Sequence, residues 1–256
     1  MDYTSIFDSH AHFDDEKFNE DRDEILSSLP SKGISGVINC GTNLQTSEFS
    51  IELSEKFGFV YAAVGFHPHE VTEFDDASLL EVKRLAQNEK VVAIGEIGLD
   101  YYYDFSPREK QIEAFEKQLE LAAELSLPVI IHNRDAHADT LEILKKHRPK
   151  GVLHCFSGSA EMAQEIIKLG MYIGLGGAVT FKNAKKPLEV AAVVPDELLL
   201  IETDCPYMSP VPFRGKRCDS TMIPYTAEKI AEVRGTTAQD ILNLTAENAK
   251  RLFEIK

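Results

Sequence analysis

Eight short apolar runs alternate with longer segments of helical spacing, and this alternation restricts the chain more than any other feature. The runs are "SIFDSH", "GVINCG", "FVYAAVGFHP", "KVVAIGEIGLD", "PVIIHNR", "GVLHCFSG", "MYIGLGG" and "ELLLIETDCP". Several are apolar at consecutive positions, as strands buried on both faces of a parallel sheet are. Between them, "SPREKQIEAFEKQLELAAELS" places Ile112, Phe115, Leu119 and Ala122 at helical spacing behind a Ser106-Pro107 start. "DAHADTLEILKKH" and "SAEMAQEIIKLG" repeat the pattern, and Gly170 stops the latter. Such alternation predicts an α/β architecture. At 256 residues the length suits a closed (β/α)8 TIM barrel, typically roughly 250 residues. A doubly wound open sheet is the rival. We read residues 1–256 as one barrel domain with two extra C-terminal helices, "TMIPYTAEKIAEVRG" and "TAQDILNLTAENAKRLFEIK", packed on the barrel exterior. Thr237 begins the second.

No apolar stretch reaches the ~18 residues of a membrane span, and "MDYTSIFDSHAHF" lacks the basic and apolar regions of a signal peptide. The four cysteines, Cys40, Cys155, Cys205 and Cys218, show no CxxC spacing. They fit the reduced thiols of a cytoplasmic protein. A net charge of −15 argues against a passive nucleic-acid coat protein. It is compatible with an enzyme that meets phosphates through bound cations.

Polar residues stand at the C-terminal ends of the apolar runs. His10 and His12 end the first, His67 the third, Glu96 the fourth, His132 the fifth, His154 the sixth and Asp204 the eighth. In a parallel barrel those ends form the active-site rim. His10 and His12, two positions apart on a strand, project to one face while Ala11 points to the other. Each residue alone has a plainer reading: a hydrogen-bonded loop histidine, a capping Glu96, an Asx-turn at Asp204. Together they would leave several polar groups at strand ends without partners, which is costly. A shared metal centre satisfies all of them. Imidazoles with carboxylates fit a hydrolytic zinc, manganese, cobalt, iron or magnesium site better than a thiolate zinc site. The donors suffice for two ions, with Glu96 the natural bridge. Two ions about 3.5–4 Å apart would polarise a phosphate and generate hydroxide near neutral pH.

The ordered motifs "DSHAHF", "GFHPH", "GEIGLDYY", "LPVIIHNRDA", "HCFSG" and "ETDCPYMSP…RGK" resemble the TatD family of metal-dependent deoxyribonucleases, in the amidohydrolase-like barrel superfamily. The resemblance runs from about Phe7 into the C-terminal helices. It implies a slightly distorted barrel, divalent cations (two are expected, with Mg, Mn and Zn open) and phosphodiester hydrolysis on DNA, often as a 3′-to-5′ exonuclease. Carried over residue by residue, it implies that His10, His12 and Asp204 hold one metal, with Glu96 bridging, and that His132 and His154 hold the second. It places His67 beside the substrate phosphate, to support it or shuttle a proton. Glu202, on the same strand face as Asp204, is expected to bind metal or water. Asp204 is also expected to accept the proton of the attacking water. Asp100 and Arg134 are expected to orient imidazoles or contact phosphate. After "RGKR" the family usually continues with Asn, an acidic residue and Pro; here Cys218, Asp219 and Ser220 follow. The ligands themselves show no departure, which argues against an inactive relative.

Arg214, Lys216 and Arg217 make a basic cluster in an acidic chain and are expected to position a DNA backbone. Tyr101, Tyr102 and Tyr103 offer base stacking or packing. DNA is the expected substrate. The alternative is a D-aminoacyl-tRNA deacylase, or another ester or amide hydrolase on the same centre, which would make tRNA a partner. No strand-end lysine suggests the dihydroorotase-like branch. A third reading is a non-catalytic binder on an inherited barrel, predicting DNA binding without turnover.

Overall fold

A computed structural model describes residues 3–256. Eight strands follow the runs: β1 Ile6–Ala11, β2 Ile34–Cys40, β3 Val60–Val64, β4 Val91–Asp100, β5 Val129–Arg134, β6 Gly151–Leu153, β7 Tyr172–Leu175 and β8 Leu199–Ile201. They pair in chain order, every pair parallel. The first and eighth meet just past their ladders through an Ala11–Cys205 bridge. There the His12 N–H donates to Cys205 O at 2.8 Å and the Asp204 N–H to His10 O at 3.0 Å. First meeting last makes a nearly closed barrel and excludes the open doubly wound sheet.

The helices are α1 Arg22–Ser28, α2 Leu44–Lys56, α3 Asp76–Leu85, α4 Arg108–Leu125, α5 His137–His147, α6 Ala160–Lys168, α7 Lys185–Val193, α8 Ile223–Arg234 and α9 Ala238–Phe253. The expected stop at Gly170 is there, in the left-handed region at φ 79°. Thr237 caps α9 in a reciprocal box with Asp240. On α4, Phe115, Leu119 and Ala122 are buried as their spacing predicts, together with Gln111 and Gln118. These two amides hold loop backbone. Gln118 accepts from Phe66 N at 2.7 Å and donates to Phe66 O at 3.1 Å. Gln111 accepts from Asp100 N at 2.8 Å and donates to Asp100 O at 3.1 Å. One helix face thus fixes the approaches to His67 and to the end of β4.

Apolar packing forms two layers. The larger lies between strands and outer helices and includes Ala11, Ile94, Ile97 and Phe115. The smaller fills the lumen with one main residue per strand: Phe7, Ile38, Ala63, Ala93, Ile130, Val152, Tyr172 and Leu200. Ala246, Ala249, Leu252 and Phe253 of α9 join that lumen cluster. Ile223, Ala227 and Ile230 of α8 and Ala238, Ile241 and Leu242 of α9 lie in the outer layer, as expected of helices on the barrel exterior, and only the last turns of α9 depart from this by reaching the lumen. Its small residues let the helix sit against the strand ends.

Two bulges decide what stands above the lumen layer. Asp8 pairs with Val37 and Ala11 with Asn39, so three steps on β1 oppose two on β2. Likewise Ile94 pairs with Val129 and Ile97 with Ile131 across β4 and β5. An extra residue re-aims the side chains beside it. On β1 it leaves Asp8 and Ala11 outside and turns His10 inward. On β4 it turns Glu96 inward between the outward Ile94 and Ile97. Glu96 thus lies inside a ten-residue strand, not at its end, because the bulge and not the strand terminus sets its direction. His67 stands beyond the end of β3, capping a short 3-10 turn at Pro68–Glu70.

Candidate metal centre

Glu96 is the hub. Its Oε1 lies 2.7 Å from His154 Nε2, 3.0 Å from His132 Nδ1 and 3.7 Å from His67 Nε2. Its Oε2 lies 3.3 Å from His10 Nε2 and 3.4 Å from His12 Nε2. Asp204 Oδ1 stands 3.8 Å and 3.6 Å from the same two nitrogens. The seven residues expected from the sequence therefore converge. Asp204 reaches in from a left-handed backbone, φ 61°, a conformation costing a non-glycine residue about 1 kcal/mol or more. His10 stacks on His154 with ring centroids 3.8 Å apart.

Outer partners decide which inner nitrogens carry lone pairs. A carbonyl can only accept, so the 2.9 Å contact of His12 Nδ1 with Cys40 O puts the proton on Nδ1 and the lone pair on Nε2. His132 Nε2 faces Asp100 Oδ2 at 3.0 Å, which leaves Nδ1 free toward Glu96. His67 is the reverse. The His69 N–H donates to His67 Nδ1 at 3.1 Å, so a neutral His67 presents an N–H to the centre. Ring orientation by outer acceptors is the usual device for metal-ligating histidines.

Electrostatics agree. Burial pushes Glu96 upward, but His154, His10 and His67 outweigh it and hold the carboxyl well below the usual range. Burial keeps His67 well below its ordinary value, and burial with His154 alongside lowers His10. Burial opposes protonation of His12 as well, yet Glu96, Asp14 and Asp204 push it up to about 9. The carboxylates demand positive charge at this point. Three sets of donors lie within 4.8 Å of one another: His10, His12 and Glu96; His10, His154 and Asp204; His67, Glu96 and His132. Nitrogen and oxygen donors in this density fit a divalent cation.

Glu202 stands behind His154. It accepts from the Cys155 N–H and from Ser9 Oγ at 3.4 Å, with Oε1 3.6 Å from His154 Nδ1. That nitrogen is the one buried side-chain polar atom without a partner among the described residues. Gly174 makes room for this carboxylate, since a Cβ there would meet Glu202 Oε2 at 2.5 Å. Asp100 is fully buried and serves two rings, His132 and His69, the latter at 2.9 Å. His69 was not singled out from the sequence, although "HPH" spacing just past an apolar run echoes "HAH".

On the rim, the Arg134 guanidinium lies over Tyr102 at 4.0 Å and Tyr103 at 4.7 Å. Arg214 lies over Phe181 at 3.8 Å, and Lys216 is exposed. Arg217 donates to Asp21 at 2.9 Å and to Lys17 O at 2.6 Å, tying its loop to the segment before α1. Ser220 gives a hydroxyl to buried Asp8 at 2.7 Å.

A parallel barrel that gathers imidazoles and carboxylates around one buried glutamate on its rim is that of a metal-dependent hydrolase. Within that class the chain belongs to the TatD related DNase family, whose model matches residues 7–254. It is 46% identical over 253 residues to the uncharacterized metal-dependent hydrolase YabD of Bacillus subtilis, covering 98% of this chain and 99% of that one. It is 35% identical over 259 residues to the 3′-5′ ssDNA/RNA exonuclease TatD of Erwinia tasmaniensis, covering 98% and 100%. The crystal structure of the TatD homolog YJJV from Escherichia coli superposes with a TM-score of 0.92 at 33% identity, covering 98% and 99%.

Proposed function

We propose that this hydrolase cleaves phosphodiester bonds in DNA, working from the 3′ end, with two divalent cations at the Glu96 centre. The observation that carries the reading is the proton arrangement: inner lone pairs on His12 and His132, and an inner N–H on His67. His10, His12 and Asp204 would hold one cation, His132 and His154 the other, with Glu96 between them. Imidazole-rich donors favour Mn or Zn over Mg, which prefers oxygen. When bound, the cations supply Lewis acidity toward phosphoryl oxygens and make water acidic enough to attack near neutral pH.

This chain's side chains account for the rest. His67 donates Nε2–H to a non-bridging phosphate oxygen and is kept neutral by burial. Asp204, raised by burial and the most open of the central carboxylates, accepts the proton of the attacking water. Asp100 and Glu202 hold His132 and His154 in place. Arg134, Arg214 and Lys216 offer cations to the strand where the rest of the surface repels it. Names of relatives such as the ssDNA/RNA exonuclease of Erwinia tasmaniensis support the nucleic-acid substrate.

The test is an end-labelled single strand of either polarity, with Mn²⁺, Mg²⁺ or Zn²⁺, beside a D-aminoacyl-tRNA arm. We expect stepwise shortening from the 3′ end, abolished by chelator and lowered at least about 10³-fold in Glu96→Gln. No shortening with any of these metals, or a full rate in Glu96→Gln, would overturn the reading.

A further inference from the structure

Among the described residues, seven large apolar side chains are exposed, and three fall within one short stretch after β4: Tyr102 at 58%, Tyr103 at 47% and Phe105 at 65%. The loop is held at both ends. The Asp100 carboxylate accepts from Tyr102 N at 3.0 Å and Tyr103 N at 2.9 Å. At the other end, Ser106 Oγ donates to His69 O at 3.1 Å and Gln111 donates to Ser106 O at 2.9 Å. Rings that stay in water on a pinned loop are preorganised for a partner. Tyr103 and Phe105 stack at 5.2 Å and 26°, with Arg134 over Tyr103. Tyr101 differs: its hydroxyl donates to Asp139 at 2.7 Å and its ring lies under Arg108, so it packs.

The cluster adjoins the metal centre. The His69 ring lies 4.9 Å from Phe105 and 4.3 Å from His67, and His67 faces Glu96. Three rings and a guanidinium form a surface too small for a protein interface but matched to a nucleobase. A chain of net charge −15 cannot hold a polyanion by general attraction, and stacking does not depend on charge.

We infer that Phe105, Tyr103 and Arg134 form a stacking platform for the base next to the phosphate held at Glu96. This rests on the phosphodiester reading above.

The test is fluorescence anisotropy with the Mn²⁺-loaded protein and strands whose linkages are phosphorothioate, so that they resist hydrolysis. It uses a labelled single strand and the same strand with abasic sites in its three terminal positions. The strand with bases should bind between about five- and 150-fold more tightly. Phe105→Ala should abolish most of this preference, equally at low and high salt, and Phe105→Trp should restore it. Arg134→Ala should also flatten the salt dependence. Equal binding of both strands, or an unchanged preference in Phe105→Ala, overturns the platform alone. Binding of neither strand overturns the nucleic-acid reading and the platform with it.

Discussion

Asp8→Asn should make the protein more stable at alkaline pH. Asp8 is fully buried on the outer side of β1, and its donors are all neutral. Ser220 Oγ and Thr203 Oγ1 donate at 2.7 Å each, Thr203 N at 3.0 Å and His10 N at 3.4 Å. Burial pushes the carboxyl from 3.8 to about 7, with these donors only partly opposing it. A folded-state value above the unfolded one means that the folded chain holds more protons across the interval, so stability falls as pH rises through it. The displacement corresponds to about 4 kcal/mol in all, of which roughly 3 kcal/mol is lost between about pH 5 and pH 8.5. Asparagine keeps the shape and an acceptor for Thr203 N, and its amide can donate to the two hydroxyls once they turn. Urea unfolding of both proteins in chelator, at the two pH values, reads the difference. The variant should gain about 3 kcal/mol on the parent between them. A difference that stays constant with pH would refute the buried-charge account.

Two further outcomes follow from the geometry. Gly98 has φ 141°, and a Cβ there would meet His132 O at 2.0 Å; Gly98→Ala should therefore destabilise the fold by more than about 2 kcal/mol, seen as a lowered unfolding midpoint, and an unchanged midpoint counts against the close approach. Glu202→Gln should weaken divalent-metal affinity by about 10–100-fold with little change in unfolding midpoint, measured by competition with a chelating dye, and unaltered affinity would remove Glu202 from any role in holding His154.

Much of this molecule is legible in its sequence because its chemistry interrupts its pattern. Histidines and carboxylates after β-branched runs are conspicuous, and the rule that barrel chemistry gathers at strand C-termini places them together. What sets their direction is not legible. The bulges at His10 and Glu96 are register slips between neighbours, and one strand's alternation cannot report a slip against the next. Alternation alone would put Asp8 on the face of His10; the bulge after Asp8 turns His10 inward and leaves Asp8 outward, in a hydroxyl cage that includes Ser220. The apolar stripe of α9 reads the same whether it covers a barrel wall or reaches the lumen. Arg217 and Arg134 are alike as charges, yet one closes on Asp21 and the other lies on tyrosine rings, and only distant contacts tell them apart.

The seam between β1 and β8 has a consequence for how the protein is made. His10 and His12 are synthesised almost at once, whereas the segment that completes their site comes much later: Thr203 and Asp8 are 195 positions apart, Ser220 and Asp8 212. A chain that has not yet reached Asp204 lacks that carboxylate beside His10 and His12 and holds only the earlier His10–His12–Glu96 donors. Contacts this distant in sequence also slow folding. Once the seam has closed, a cation held across it would tie the first strand to the last and stabilise that joint.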